Sequence, residues 1–267
     1  MREIKNDIPQ IFTIEKIKQE TPQIKTFTFN YNLKAKPGQF IMLWIPGIDQ
    51  IPLSISKQSK TNFELSVMKV GNGTKKLFTM KVGDKLGISG PYGKEFNIKE
   101  KSKIILVGGG CGSAPLRFLA EEAKKKKCKI EFITGANTSK DVLFKKALAG
   151  SCMITTDDGS EGHKGFTTDI LEEKLSNKKN QYGKVYTCGP EIMMKKVVDI
   201  CYKYKIPCEV SLERYMKCGF GVCGQCSVDP EGICICQEGP VFSGSQVRKI
   251  KEFGHYFRDK AGIKKYY

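Results

Sequence analysis

The sequence has few residues suited to acid–base catalysis and no long apolar run. Only two histidines, His163 and His255, occur in 267 residues, and neither lies in an HExxH-like pattern, which argues against a histidine-based metal hydrolase. No stretch reaches the roughly 18–20 apolar residues that a membrane-spanning helix needs. The beginning of the sequence also lacks the apolar core of a signal peptide. We therefore expect a cytoplasmic protein without a membrane span.

Acidic residues are outnumbered, since 45 Lys and Arg stand against 28 Asp and Glu, for a formal net charge of +17. Such a charge can favour binding to nucleic acid or to an anionic membrane surface. The lysines are spread along the chain, however, and the run at 124–127 follows a helical pattern whose end suits cations. We interpret the charge as a solvated surface that also suits docking to an acidic protein, and we expect no nucleic-acid partner.

The first part of the chain, residues 1–97, has the pattern of an all-β domain. Its segments 11–18, 24–31, 39–45 and 63–70 are short, rich in β-branched and aromatic residues, and separated by Pro, Gly and Asn. Short strands separated by turn signals predict an antiparallel β-barrel or sandwich.

The pattern changes near residue 98. Up to residue 211, short apolar strands alternate with helical patterns at 114–126, 142–148, 169–175 and 191–204. This alternation predicts a doubly wound parallel α/β domain. Residues 212–267 have little apolar periodicity, which predicts a small module folded around a metal centre. The basic, aromatic tail from residue 245 is expected to form a terminal helix.

The cysteines are concentrated in that last region, where five of the eleven lie between Cys218 and Cys236. Without a secretory signal, such clustering indicates metal binding rather than disulfides. Cys218, Cys223 and Cys226 have the C-x4-C-x2-C spacing of plant-type [2Fe–2S] proteins, which need a fourth cysteine. A zinc site that uses Cys226 and Cys223 with the Cys234-x-Cys236 pair is the alternative. Spacing alone leaves the fourth ligand open between Cys234 and Cys236.

A glycine-rich turn joins the first strand of the α/β region to its first helix. The backbone amides of such a turn can hold a pyrophosphate. The candidate residues are Gly108, Gly109, Gly110, Gly112 and Ser113. Ser113 occupies the third glycine position of a G-x-G-x-x-G pattern, and no acidic residue follows the second strand. A tight turn without a ligand therefore remains an alternative.

Two later loops end predicted strands at the edge where α/β sheets bind ligands. One contains Asp158 and Gly159, and the other contains Cys188, Gly189 and Pro190. Cys188 either faces a nicotinamide ring or is a small buried residue. Asp157, Asp158, Glu161 and His163 do not form a convincing acid–base or metal constellation, so no catalytic side chain is predicted.

Together these parts resemble the ferredoxin–NADP⁺ reductase superfamily and, within it, the iron–sulfur electron-transfer subunits of dihydroorotate dehydrogenase B. The resemblance covers almost the whole chain and is most specific at 212–226 and at the ending Cys236-Gln-Glu-Gly-Pro-Val-Phe242. In that family the fourth cluster ligand precedes a Gly-Pro-Val-Phe ending. The resemblance therefore implies Cys236 as the fourth ligand, beside Cys218, Cys223 and Cys226.

The resemblance also implies which residues bind the other cofactors. FAD would lie on the barrel, 1–97, against two segments, and NAD(P) would bind the α/β domain, 98–211, as a substrate. The residues implied for FAD are Ile51, Pro52, Leu53, Ser54, Val67, Met68, Lys69, Gly73 and Thr74. Ile51 replaces the arginine that the family uses for the FAD phosphates, and Lys69 is expected to supply charge instead. The glycine-rich turn, Asp158-Gly159 and Cys188-Gly189-Pro190 are implied to contact NAD(P).

The function that the resemblance implies is an electron relay. Dihydroorotate would reduce FMN on a separate catalytic subunit, in a heterotetramer with two copies of each chain. Electrons would pass singly through the [2Fe–2S] cluster to FAD, which would give a hydride to NAD⁺ in pyrimidine biosynthesis. Similar chains serve ferredoxin–NAD(P) oxidoreductases, hydrogenases and sulfite reductases, and these remain alternatives. A zinc-binding nucleic-acid module is an alternative of another class, and the choice between NAD and NADP stays open.

Overall fold

The structure is a computed structural model that describes residues 7–145, 152–177, 179 and 181–267. Its first part is a seven-stranded antiparallel sheet with the order β1-β7-β4-β5-β6-β3-β2. The elements are β1 Gln10–Thr13, β2 Lys16–Thr21, β3 Ile24–Phe29, β4 Phe40–Ile45, β5 Asp49–Gln58, β6 Phe63–Met68, α1 Asn72–Thr79 and β7 Lys85–Tyr92. Helix α1 is absent from the sequence-based prediction, since eight residues are too few to give a clear helical period.

The backbone closes this sheet into the predicted barrel. Strand β1 pairs with β7 at one edge and β2 pairs with β3 at the other. Only two residues separate β1 from β2: Ile14 donates its N–H to Asp84 O, and Glu15 donates to Thr28 O. The chain from β1 to β2 is therefore one bent strand that joins both edges. The interior is apolar, with Phe27, Phe29 and Phe63 among its buried residues.

The second part is the predicted α/β domain, with a seven-stranded sheet of order β11-β10-β9-β8-β12-β13-β16. Its elements are β8 Lys103–Gly109, α2 Ser113–Lys125, β9 Lys129–Ala136, β10 Cys152–Thr156, β11 His163–Lys164, α3 Thr167–Ser176, β12 Lys184–Cys188, α4 Glu191–Lys203 and β13 Cys208–Ser211. Strand β8 lies between β9 and β12 and is buried along nearly its whole length, as parallel strands covered on both faces are. The chain reverses its strand order at β8, so the residues that follow β8 and β12 meet at one edge of the sheet.

The C-terminal region contributes one strand to this second sheet. Its elements are β14 Ser227–Val228, β15 Ile233–Cys234, α5 Ile235–Glu238, β16 Val241–Ser243, α6 Gly244–Val247, β17 Tyr256–Arg258 and β18 Lys264–Tyr266. Strand β16 pairs antiparallel with β13 and forms the edge of the α/β sheet. The segment that contains the five clustered cysteines is thereby anchored at both ends, by β13 before it and by β16 after it.

The sequence predicts two further helices, one at 142–148 and one from residue 245. The terminal helix predicted from residue 245 is wrong, because the chain forms one helical turn, α6, and then the β17–β18 hairpin. The aromatic residues Tyr256, Phe257 and Tyr266 in these strands favour a hairpin over a helix. Of the helix predicted at 142–148, residues 142–145 are not helical, with a turn at 143–145, and residues 146–148 lie outside the described residues.

The barrel and the α/β domain share a packed interface. Phe118 of α2 is buried in the hydrophobic core of the barrel, and the neighbouring Arg117 donates to Glu64 of β6 at 2.9 Å. The edge of the sheet where β8 and β12 end therefore faces the barrel. Across the described residues, the structure has no helix long and apolar enough to cross a membrane.

Candidate functional site

The cysteine-rich segment between β13 and β14 folds as an irregular loop, defined here as the cysteine loop, residues 218–226. Its three glycines, Gly219, Gly221 and Gly224, have φ values of 82°, 86° and 66°, which other residues adopt only at a cost. A Cβ atom at position 221 would lie 2.4 Å from the Gln237 side chain. The Nε2 atom of Gln237 in turn donates to Phe220 O at 2.6 Å. These glycines let the loop fold back closely enough to bring its cysteines together.

The four cysteines implied as ligands form two pairs. Cys226 and Cys236 are each only 3% exposed, and the backbone N–H of Cys236 donates to Cys226 Sγ at 3.4 Å. The Cys236 thiol also donates to Cys226, which lowers the pKa of Cys226 to about 6 and raises the pKa of Cys236. Cys234 is not part of this pair, since its sulfur lies 3.3 Å from the Ser227 hydroxyl.

The second pair is Cys218 with Cys223. Burial pushes the pKa of Cys218 upwards, but hydrogen bonds from the backbone of Cys223, Phe220 and Val222 and from the Cys223 thiol outweigh it, and the pKa falls to about 7. Cys223 itself is exposed to solvent. A thiol with a lowered pKa is readily present as thiolate, the form that binds metals.

Two thiol pairs bridged by backbone amides fit a binuclear cluster better than one ion. A structural zinc site brings four ligands to about 2.3 Å from a single metal. In a [2Fe–2S] cluster, by contrast, each iron takes two cysteines and the sulfides accept hydrogen bonds from the backbone. The donor set therefore fits the iron–sulfur group, and the assignment of the four ligands stays a prediction.

The cysteine loop lies directly on the barrel. A Cβ atom at position 219 would lie 2.5 Å from Met42 Cγ and 3.2 Å from Tyr92 Cδ2. The rings of Phe220 and Tyr92 are 6.2 Å apart between centroids. Met42 of β4 pairs across the sheet with Pro52 of β5. The loop thus lies one strand away from the segment implied to bind FAD.

The two barrel segments implied for FAD come together in the structure. Ile51 to Ser54 lie in β5, and Gly73 lies in the first turn of α1, where a Cβ atom would be 3.6 Å from Ile51 Cγ2. The Thr74 hydroxyl accepts hydrogen bonds from the backbone N–H groups of Val70 and Gly71 at 2.9 and 3.0 Å. This hydroxyl fixes the turn that enters α1.

The residues before α1 differ in exposure and in charge, and therefore in how they could contact a ligand. Val67 is only 1% exposed and belongs to the barrel core, whereas Met68 is 41% exposed. The Lys69 ammonium lies 5.7 Å from the centre of the Phe78 ring, and that of Lys25 lies 5.0 Å from the same ring. Lys25 was missed by the sequence reasoning, because only the pairing of β3 with β6 brings it beside Lys69.

The glycine-rich turn and the Cys188-Gly189-Pro190 turn pack backbone against backbone. A Cβ atom at position 112 would lie 2.3 Å from Cys188 O, and one at position 109 would lie 2.6 Å from Pro190 Cδ. Gly110 has a φ of 51°. Ser113, which replaces the third glycine, uses its hydroxyl to bond Thr134 at 2.8 Å. This backbone contact by itself requires glycine at positions 109 and 112.

Asp158 and Gly159 lie further along the same edge of the sheet, after β10. The N–H of Asp158 donates to Asn137 O at 3.3 Å. The hydroxyl and backbone N–H of Ser160 donate to the Asp158 carboxylate and lower its pKa. The carboxylate is exposed and ionised, and β9 separates its strand from the glycine-rich turn.

Cys111 and Glu213, which the sequence reasoning missed, lie with the predicted Cys188 near the junction of the two domains. The Cys111 thiol donates to Ser66 O of the barrel at 3.8 Å. Burial, and then the charge of Glu213, raise the pKa of both Cys111, to about 12, and Cys188. Glu213 keeps some exposed surface, but desolvation of its carboxyl by the surrounding atoms, and then the charge of Glu191, raise its pKa. Its position directly after β13, at the ligand-binding edge of the sheet, is the signal that could have found it.

Arg214 is a further residue that the sequence reasoning missed, and its side chain is buried. Its side chain is 3% exposed and forms ion pairs with Glu191 at 2.5 Å and with Glu252 at 3.4 Å. Nothing in the local sequence marks these partners, because they lie 23 and 38 positions away.

Two family models match parts of the chain. The iron–sulfur cluster binding domain of dihydroorotate dehydrogenase B matches residues 213–248, and an oxidoreductase NAD-binding domain matches residues 106–199. The first match spans the cysteine loop and Cys236, and the second spans the glycine-rich turn and the two later loops. Together with the barrel, these domains define an oxidoreductase subunit of the ferredoxin–NADP⁺ reductase fold class.

Curated relatives specify the family. A probable dihydroorotate dehydrogenase B (NAD(+)) electron transfer subunit from Methanocaldococcus jannaschii is 48% identical over 261 residues, covering 97% of this chain and 99% of the relative. A protein of the same description from Pyrococcus furiosus is 42% identical over 253 residues, covering 94% and 96%. The chain belongs to the family of dihydroorotate dehydrogenase B electron transfer subunits.

Solved structures agree with this fold. The structure of an NADH-dependent reduced ferredoxin–NADP oxidoreductase, described for flavin-based electron bifurcation, has a TM-score of 0.80 and 29% identity, covering 91% of this chain and 90% of that one. A ferredoxin reductase from carbazole 1,9a-dioxygenase has a TM-score of 0.66 at 19% identity over 74% of this chain and 66% of that one. The second likeness concerns the fold alone.

Proposed function

We propose that this chain carries electrons between dihydroorotate oxidation on an FMN-containing catalytic subunit and NAD⁺, by means of a [2Fe–2S] cluster and FAD. The overall reaction is dihydroorotate + NAD⁺ → orotate + NADH + H⁺. Dihydroorotate loses two electrons and two protons, NAD⁺ takes up a hydride, and one proton leaves to solvent. The close relatives in the family of NAD(+)-linked electron transfer subunits support this assignment.

The observation that carries the proposal is the contact between the cysteine loop and the barrel. Gly219 of the loop lies on Met42 of β4, which pairs with Pro52 in the segment proposed for FAD. When bound, the cluster supplies one-electron chemistry and the flavin converts it to two-electron chemistry. A cluster on this loop and a flavin on β5 would thus be neighbours, which electron transfer between them requires.

The ligands proposed for the cluster are Cys218 and Cys223 for one iron and Cys226 and Cys236 for the other. Cys226 and Cys236 are buried and hold the inner side of the site. Cys223 is exposed and leaves the outer side open. This asymmetry suits a group that exchanges electrons with the flavin inside and with a partner subunit outside.

The nucleotide would bind at the edge formed by the glycine-rich turn. Gly109 and Gly189 have no side chains there, and the first turn of α2 presents backbone N–H groups that suit a pyrophosphate. Cys188 and Glu213 lie where this edge meets the barrel, so they would border the nicotinamide. The exposed carboxylate of Asp158 favours NAD, because it would repel the extra phosphate of NADP.

The proposed assembly is a heterotetramer of two electron-transfer and two catalytic chains in the cytoplasm. All eleven cysteines of this chain are free of disulfides, which supports a reducing compartment. The positively charged surface, +17 in total, supports docking to an acidic partner protein.

Co-expression with the FMN-containing catalytic chain tests the proposal. The purified complex is expected to contain equal amounts of FMN, FAD and cluster, to have a mass of two copies of each chain, and to reduce NAD⁺ with dihydroorotate. Failure to form a complex, or a complex inactive with dihydroorotate, would reject it.

The second candidate is a ferredoxin–NAD(P) oxidoreductase subunit, favoured by the structural likeness at 29% identity. The same preparation separates the two candidates if it is also assayed with NADH and reduced or oxidised ferredoxin. Ferredoxin-dependent turnover without dihydroorotate activity would support the second candidate.

A further inference from the structure

A buried ionic cluster connects the cysteine loop, the nucleotide edge and the C-terminal tail. The Arg214 guanidinium donates to both carboxylate oxygens of Glu191, from Nη1 at 2.5 Å and from Nη2 at 3.1 Å. The two side chains are 3% and 5% exposed. The Arg214 Nε atom lies 3.4 Å from Glu252, whose side chain is 1% exposed. A two-point contact of this kind fixes both the distance and the orientation of its partners.

Glu191 connects this ionic cluster to the edge of the α/β sheet where the nucleotide is proposed to bind. It is the first residue of α4 and directly follows Cys188-Gly189-Pro190. A Cβ atom on Gly189 would lie 2.8 Å from Gly109 N, so this turn has no room to shift relative to the glycine-rich turn. Any movement of Glu191 would therefore displace both turns proposed to hold the nucleotide.

Arg214 connects the ionic cluster to the cysteine loop. It follows Glu213, whose charge reaches Cys111 and Cys188, and it precedes Cys218 by four residues. The Arg214 Nη1 atom also donates to Glu213 O at 2.8 Å. The guanidinium thus holds the chain between β13 and the cysteine loop from inside the protein.

Glu252 and its neighbours add the tail to this arrangement. The N–H of Gly254 donates to Glu191 Oε1 at 2.9 Å, and Arg258 lies 3.4 Å from Glu252. Buried ion pairs often add little stability compared with apolar residues of similar volume, because both charges must be desolvated. A cluster that joins three separate segments is better explained by the geometry that it imposes.

We propose that Arg214 is a positioning residue, which holds the cysteine loop and the Cys188-Gly189-Pro190 turn in a fixed relation through its two-point pair with Glu191. The proposal rests on the proposed function, since it assumes NADH at that turn and a cluster on that loop. Lysine at position 214 would keep the charge but lose the two-point contact. A small displacement of aligned reacting groups can lower a rate about 100-fold.

The test compares three variants of the intact complex with the wild type. Arg214→Lys removes the two-point contact. The double variant Arg214→Met with Glu191→Leu removes both charges of this pair, and Glu252 keeps Arg258 as its partner at 3.4 Å. Arg248→Lys is the control, because Arg248 also pairs with α4, at 3.0 Å from Asp199, but in a pair that is 42% and 48% exposed. Each preparation is checked for FAD and iron content and for its melting temperature.

The kinetic readout separates positioning from folding. With full cofactor content, Arg214→Lys is expected to slow flavin reduction by NADH tenfold or more while the apparent NADH KM changes less than threefold. The double variant is expected to be equally slow even where its melting temperature matches the wild type, and Arg248→Lys is expected to retain the wild-type rate. A shifted electron paramagnetic resonance spectrum of the reduced cluster in both Arg214 variants would further support positioning.

Two results would overturn the inference. One is a wild-type rate in Arg214→Lys or in the double variant. The other is failure of both variants to fold with their cofactors, which would make the cluster of charges purely structural. A wild-type complex that holds no cluster or does not react with NADH would instead refute the proposed function.

Discussion

Gly219 and Met42 are in van der Waals contact across two parts of the chain, since a Cβ atom at position 219 would lie 2.5 Å from Met42 Cγ. Gly219 follows Cys218, a proposed cluster ligand, and Met42 lies in the barrel strand next to the proposed FAD segment. The contact therefore ties the position of the cysteine loop to that of the flavin-binding domain.

A methyl group at position 219 is expected to disturb this contact. Gly219→Ala imposes a left-handed φ on a residue with Cβ, at about 1–2 kcal/mol, and adds crowding against Met42 of about 1–3 kcal/mol. Gly232→Ala is the matched control, because Gly232 also has a positive φ, 66°, but nothing within 4 Å of its Cβ position. The melting temperature and the visible absorbance of the cluster are compared between the two variants. Equal losses in the two variants would show that the contact with Met42 contributes nothing.

The pairing of Cys226 with Cys236 predicts which of the two late cysteines holds the cluster. Cys236→Ser is expected to abolish the visible absorbance and the iron content of the [2Fe–2S] cluster, because a ligand thiolate is lost. Cys234→Ser is the control and is expected to retain both, since Cys234 contacts Ser227 instead. Iron analysis and the visible spectrum decide the matter, and the reverse pattern would make Cys234 the ligand.

Thiol reactivity in the cluster-free protein should follow the lowered pKa of Cys218. Its pKa of about 7 means that iodoacetamide labelling falls as the pH drops through 7. Burial raises the pKa of Cys152 to about 11, so Cys152 should remain largely unlabelled up to pH 9. Mass spectrometry after short labelling pulses at several pH values compares the two within one sample. Cys218 labelling that begins only near pH 9 would contradict the hydrogen bonds described for the loop.

The lowered pKa values of Cys218 and Cys226 also predict how the stability of the cluster-free loop depends on pH. A thiol whose folded pKa is below its ordinary value of 9.0 stabilises the folded form above that value. The contribution decreases as the pH falls below 9.0 and is lost by about 7 for Cys218 and about 6 for Cys226. Proteolysis of the loop should therefore accelerate as the pH is lowered from 9 to 6 and change little below that, and a rate independent of pH over this range would argue against it.

Lys69 is predicted to take over part of the role of the arginine that is absent at Ile51. Lys69→Ala is expected to weaken FAD binding about tenfold, which corresponds to about 1.4 kcal/mol, because a charge near the phosphates is removed. Lys60→Ala is the control, since Lys60 is exposed in the turn between β5 and β6. Flavin fluorescence on titration of the FAD-free protein gives both dissociation constants. Identical dissociation constants would show that other residues bind the FAD phosphates, and Lys25 would be the next residue to substitute.

The sequence by itself determined the features that depend on local pattern and chain reach. The C-x4-C-x2-C spacing limits how far apart Cys218, Cys223 and Cys226 can lie, and the Gly-Pro-Val-Phe ending indicated Cys236 through the family resemblance. The alternation of strands and helices predicted the second sheet, because each period reports which face is buried. The prediction of a terminal helix was wrong because β17 and β18 are stabilised by pairing with each other, which no local pattern in either strand reports.

Only the tertiary structure decided the contacts between residues far apart in the chain. The position of Gly219 on Met42, of Gly112 on Cys188 and of Arg214 on Glu191 follows from how the barrel, the α/β sheet and the tail pack together. Each contact depends on the packing of whole elements rather than on neighbouring residues, so no local pattern reveals it. Glycine and arginine at these positions were visible in the sequence, but the atoms that require them were not.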